Sequence, residues 1–238
     1  MLSSFLWGLV GASSLVVGAL IGLRFNIAPR ALGVLLAFGA GALISAISFE
    51  LATEALHHGG PGALAAGLAL GGLSFYVGDR WLERRTRTRR GERSSTGGAA
   101  LALGALLDGL PEQAAIGLSI AAGGSVGISL VAAIFISNVP ESLGSSAELR
   151  RSGKQGEVLR IWLPVAVVTT LASVAGYVVL GGASGTIVGA VQAYAAGALI
   201  VMLIDEMVPE ARGRGHPAVG LAALLGYAVA ALLSHLTG

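Results

Sequence analysis

Long apolar stretches alternate with short polar interruptions along the whole chain, and the stretches exceed the runs that fill a soluble core. A helix needs roughly 20 apolar residues to cross about 30 Å of hydrocarbon. Eight stretches of that order lie near residues 3–23, 31–56, 61–82, 97–122, 124–149, 159–181, 184–210 and 217–237. The pattern predicts an all-α integral membrane protein with eight transmembrane helices, forming one transmembrane domain over 1–238 with no soluble unit left over. The opening MLSSFLWGLVGASSLVVGAL has the apolar core of a signal peptide but no basic segment before it. The first positive charge is Arg24, after the stretch, so a retained first helix is expected.

Charge placement adds orientation. Of the 238 residues only 12% are charged and 54% are hydrophobic, with 37 glycines and a mean hydropathy of +0.79. All 15 Lys and Arg fall in alternate loops or at their helix ends. Arg24 and Arg30 flank the first loop, seven arginines from Arg80 to Arg93 crowd the third, Arg150, Arg151, Lys154 and Arg160 hold the fifth, and Arg212 and Arg214 hold the seventh. HHGGPG at 57–62, AGGS at 122–125 and GGASG at 181–185 carry none. The positive-inside rule puts the odd loops in the cytoplasm, including a basic loop at about 83–96, and both termini outside, with the plasma membrane as the expected location. Basic charge spent on topology gives no reason to expect nucleic acid. The chain has no cysteine, so disulfides and thiolate metal ligands are excluded.

Aligned against itself at an offset of 156, the second predicted helix matches the seventh without a gap. GALI at 41–44 meets GALI at 197–200, Glu50 meets Glu206, and Glu54-Ala55 meets Glu210-Ala211. Even and odd helices cross in opposite directions, so this is the mark of an inverted repeat, helices 1–3 related to 6–8 around a central pair of helices 4 and 5. Within that pair Pro111-Glu112 aligns with Pro140-Glu141. Gly18 to Gly22 and Gly67 to Gly71 are small-residue faces suited to close helix packing.

Carboxylates at membrane depth are the candidate chemistry. An ionised carboxylate at the centre of a spanning helix costs roughly 2.5–3.5 kcal/mol on insertion scales, so it faces a cavity or a partner and marks a pathway. Asp108 and Glu112 share one face of the fourth helix, and Ser137, Asn138 and Glu141 lie near the middle of the fifth. Glu50 and Glu54, followed by His57 and His58, form an outer group, and Asp205, Glu206 and Glu210 an inner one. No lysine or arginine lies at similar depth, so a divalent cation or protons must supply the compensating charge. Pro111 and Pro140 free the carbonyls of Leu107 and Ile136 and kink each helix beside its acid. His216 and His235 read as interfacial residues without a role.

LLDGLPEQAAIGLSIA at 106–121 and SNVPESLGSSAEL at 137–149 resemble the paired signature helices of the Zrt/Irt-like (ZIP) metal transporters, with their His-Asn-x-Pro-Glu motifs. GAGALISAISFELATEA and AAGALIVMLIDEMVPEA resemble that family's second and seventh helices. The resemblance spans nearly the whole chain and implies a metal site of Asp108, Glu112, Ser137, Asn138 and Glu141, with Glu206 at the acidic position of the seventh helix. Asp108 stands at the family's histidine position, Gly109 at its asparagine, and Ser137 in place of a stronger ligand. The sixth helix offers only Thr169, Thr170 and Ser173, which argues against a second adjacent metal.

The expected function is passage of a divalent cation into the cytoplasm by alternating access, with zinc as the family default and manganese or iron(II) gaining weight from the carboxylate-rich site. The metal is substrate, and no prosthetic group is expected. The expected partners are the metal ion, the bilayer and, at most, a second copy in a homodimer. Proton-coupled transport of a non-metal solute and a non-transporting ZIP-like membrane protein are the rivals. Without His-Glu-x-x-His or any histidine at the midplane, the chain is not expected to be an enzyme.

Overall fold

A computed structural model describes residues 1–90, 97–122, 128–180 and 183–237, and its regular elements are all helical among them. They are α1 (Leu2–Arg24), α2 (Pro29–Ala46), α3 (Thr53–Arg90), α4 (Gly97–Ala121), α5 (Ile128–Arg151), α6 (Gln155–Leu180), α7 (Gly185–Met202), α8 (Val208–Gly213) and α9 (Val219–Thr237). A π-helical turn at Ile47–Ala52 joins α2 to α3, and a second at Leu203–Met207 joins α7 to α8. Among the described residues six helical stretches are long and apolar enough to cross a membrane: Leu2–Arg24, Pro29–Trp81, Ile128–Arg151, Gln155–Leu180, Gly185–Gly213 and Val219–Leu236. The protein is therefore an all-α integral membrane protein by the length and composition of its helices.

The stretch Pro29–Trp81 is 53 residues long, more than twice what one crossing requires. Its helix breaks at Gly60, whose φ of 72° and ψ of 177° lie where only glycine is comfortable, and Pro61 opens the next helical segment. Nothing lies within 4 Å of a Cβ placed on Gly60, so the residue is required by backbone conformation and not by space. Gly60→Ala is expected to destabilise the fold by about 1–3 kcal/mol, read as a lower thermal midpoint in detergent.

Two expectations about loops are corrected. The histidine pair His57 and His58 sits on the helical turns before the Gly60 break, not in a connecting loop. The basic segment expected as a loop at 83–96 is helical in backbone as far as Arg90, because neither glycine nor proline interrupts it; positions 91–96, with Arg93, lie outside the described residues, as do 123–127 and 181–182 of the other expected loops.

Glycine lets the helices meet backbone to backbone. With no hydrophobic drive between helices in lipid, association depends on close packing and interhelical hydrogen bonds. Gly18 and Gly22 of α1 lie against the carbonyls of Val139 and Leu143 on α5. Gly67 and Gly71 of α3 lie against those of Ala190 and Tyr194 on α7. Reciprocal contacts tie α2 to α9, where Gly41 meets the Ala223 carbonyl and Gly226 meets that of Phe38. Gly117 and Gly176 tie α4 to α6 in the same way, through the carbonyls of Ser173 and Ala114. Polar contacts add to this: the Ser173 hydroxyl donates to the Ser4 carbonyl of α1 at 3.0 Å.

Candidate cation pathway

Helices α4 and α5 carry the central acids where apolar residues would otherwise fill the core. Glu112 is 1% exposed, and Ser137 and Asn138 are fully buried beside it. The Ser137 hydroxyl has one proton, directed to the Ile134 carbonyl at 2.9 Å, while Glu112 Oε1 stands 3.4 Å away. Glu112 Oε2 and both amide atoms of Asn138 complete no hydrogen bond. Buried polar atoms are nearly always paired, so orphans clustered at one depth mark a place built for something other than the protein itself.

One step toward the expected inner side, Asp108, Glu141, Glu206 and Glu210 converge on a cavity of about 40 Å³, closed by Leu36, Met202 and Met207. That is room for about one water or one partly dehydrated ion. Four carboxyl groups thus surround one small space, and the carboxyls of Asp108 and Glu206 meet across it. Like charges at such range repel strongly in a low-dielectric interior, so a proton or a cation must lie among them. Arg214 pairs with Glu210 one turn along the same helix, at the exposed rim.

The second π-turn sets which inner acids take part. A π-turn holds one residue more than an α-turn, which advances the following side chains around the axis. Pro209, lacking an N–H for the Asp205 carbonyl, accompanies the change of register. Glu206 faces the cavity and Asp205 is exposed on the other side, so Asp205 does not join the inner group with which its sequence position placed it. Met202 and Met207 were absent from the expected set. Met202 stands one turn before Glu206 and could have been found by that spacing, whereas Met207 reaches the same cavity through the π-turn.

The outer group is more open. Glu50 rides on the first π-turn and accepts a hydrogen bond from the Leu130 N–H in the first turn of α5, where backbone donors have no helical partner. Thr53 donates to the Ser48 carbonyl at 3.0 Å, using an acceptor within that turn. Glu54, 46% exposed, meets His58 at 3.1 Å, and His57 stands edge-on to His58 with centroids 5.2 Å apart. The structure therefore brings Glu54, His57 and His58 together near the Gly60 break, with Glu50 one turn deeper.

Helix α6 offers no ligand. Thr169 and Thr170 donate to the carbonyls of Val165 and Ala166 in their own helix, and Ser173 to α1. The Thr169 methyl closes on Gly109, so a longer side chain there must displace that methyl. His216 Nδ1 accepts the Ala218 N–H at 3.0 Å, a local turn contact.

Among the described residues no three His, Asp or Glu side chains form a ready coordination shell. A cavity of about 500 Å³ lies between α3, α4, α6 and α7 and is apolar except for Ser74 and Tyr194, whose hydroxyls bond each other at 2.6 Å. It contains none of the acids. No protein-family model and no curated protein matches the chain.

Proposed function

We propose that this chain is a transporter of the Zrt/Irt-like kind that carries a divalent metal cation into the cytoplasm. The observation that carries the reading is the small interior cavity ringed by Asp108, Glu141, Glu206 and Glu210, beside a fully buried Glu112. A divalent cation compensates several carboxylates at once, and oxygen donors suit hard and borderline ions. Zinc follows from the family resemblance; the oxygen-rich donor set, without imidazole, gives manganese and iron(II) weight.

In this reading the chain crosses the membrane eight times, reversing at Gly60 and using α4 as a further span, with both termini outside and the arginine-rich end of α3 in the cytoplasm. The inverted repeat is supported by register. Helices α2 and α7 each span 18 residues and start 156 positions apart, at Pro29 and Gly185, and each leads directly into a π-turn. The contact of Gly226 with the Phe38 carbonyl in the α2–α9 pair resembles the contact of Gly71 with the Tyr194 carbonyl in the α7–α3 pair: the two carbonyls stand 156 positions apart, and a one-residue shift brings the two glycines into line.

A second reading, proton-coupled transport of a non-metal solute, draws on the meeting of the Asp108 and Glu206 carboxyls, which a shared proton also satisfies. Uptake into proteoliposomes, compared across zinc, manganese, iron(II), cobalt and cadmium, separates the two. Saturable accumulation of at least one ion above that of protein-free liposomes is expected. If no ion accumulates, the metal reading fails and the proton-coupled one leads.

A further inference from the structure

Gln192 lies outside everything described so far. Its side chain on α7 is fully buried, and neither amide atom has a hydrogen-bond partner. The same helix face carries Val188, Ala196, Leu199 and Leu203, all buried, so the amide points into the protein and not into lipid. Beyond its α3 partner, α7 packs on α4 and on the first π-turn, the elements that carry Glu112 and Glu50.

This fold shows what a purely structural buried glutamine does. Gln113, equally buried, turns its amide so that nitrogen donates to the Gly8 carbonyl at 3.1 Å and oxygen accepts the Ala12 N–H at 2.9 Å. Gln192 has no such arrangement, although leaving a buried amide unpaired is costly and a leucine of similar size would fill the space without that cost.

Register supplies the reason. At the offset of 156, Gln192 corresponds to Leu36, which closes the inner cavity, while Glu206 corresponds to Glu50 and Glu210 to Glu54. At the offset of 29 that superposes the two Pro-Glu pairs, Glu141 corresponds to Glu112 and Asp108 to Ser137. On the inverted repeat proposed above, the counterpart of the inner cavity falls on Glu50, Glu112, Ser137 and Gln192. It is closed here, with Glu112, Ser137 and Gln192 all buried.

We propose that Gln192 is a cargo-binding residue of this outer half-site, its amide oxygen facing a divalent cation beside Glu112 and Glu50 when the protein opens to the outside. The inference rests on the metal-transport reading and adds a ligand on a helix face where the sequence motifs place none. The two halves then differ at two of these positions: the outer site has Ser137 where the inner has Asp108, and the neutral amide oxygen of Gln192 where the inner has Leu36.

The test compares Gln192→Leu and Gln192→His with wild type in zinc and manganese uptake by proteoliposomes, together with thermal midpoints in detergent. For Gln192→Leu we expect KM for the external ion to rise by about tenfold or more, Vmax to change little, and the thermal midpoint to hold or rise. Gln192→His, which restores a ligand, should recover most of the affinity for zinc. A wild-type KM in Gln192→Leu overturns the inference while leaving the transport reading intact. Loss of uptake that follows a lowered midpoint overturns it in favour of a structural role. A wild type that moves no ion overturns both.

Discussion

Glu112→Gln should reduce cation uptake by about 100-fold or more while leaving the fold intact, since even outer-shell changes at metal sites cost 10–100-fold. The substitution keeps the shape and removes only the charge. Glu112 is 1% exposed, and its contacts with the Ser137 hydroxyl and the Asn138 side chain can both be kept by an amide of the same shape. On the proposed reading the cation binds against that buried charge. Removing it should leave the thermal midpoint equal or higher, because a neutral amide is cheaper to bury than a carboxylate. Glu141→Gln should behave alike, as its carboxyl lines the interior cavity. Normal uptake in both variants would remove the central acids from the pathway.

Adding one methyl group at Gly41 should harm the protein more than most core truncations. A Cβ at that position collides with the Ala223 carbonyl of α9, a backbone atom that cannot swing away as a side-chain tip can. Overpacking of this kind costs about 1–3 kcal/mol, which is about 2–12 °C in thermal midpoint for a chain of this size. The control is Gly78→Ala on α3, where nothing lies within 4 Å of the new Cβ. Alanine is the better helix former, so this variant should gain up to about 1 kcal/mol. Opposite signs from one chemical change would isolate the backbone contact. Equal midpoints would mean that α2 and α9 can part without loss.

Much of the candidate site could be read from residue type and spacing. Asp108 and Glu112 stand four apart on a helix, and the paired Pro-Glu dipeptides mark α4 and α5. Glycine spacing likewise marked the close-packing faces of α1 and α3, though not their partners α5 and α7. What spacing could not give is rotation about the axis where hydrogen bonding changes period. Asp205 and Glu206 are equally acidic neighbours, and only the π-turn between Leu203 and Met207 decides that one meets Asp108 while the other is exposed. Gln192 was silent for another reason: a lone amide in an apolar helix is unremarkable until its partners can be counted. The helical continuation to Arg90 was missed because a run of like charges reads as solvated loop, although arginine is a good helix former.

The two π-turns also govern how this protein must be compared with others. Each adds a residue that the flanking helix does not need, so a relative with a plain α-helix there aligns to this chain only through a one-residue gap. Forced into an ungapped match, every position from Glu50 to the Gly60 break, and from Glu206 to Gly213, would be paired with a residue about 100° away around the helix. Acids would be set against lipid-facing positions, and a shared pathway would read as a chance likeness.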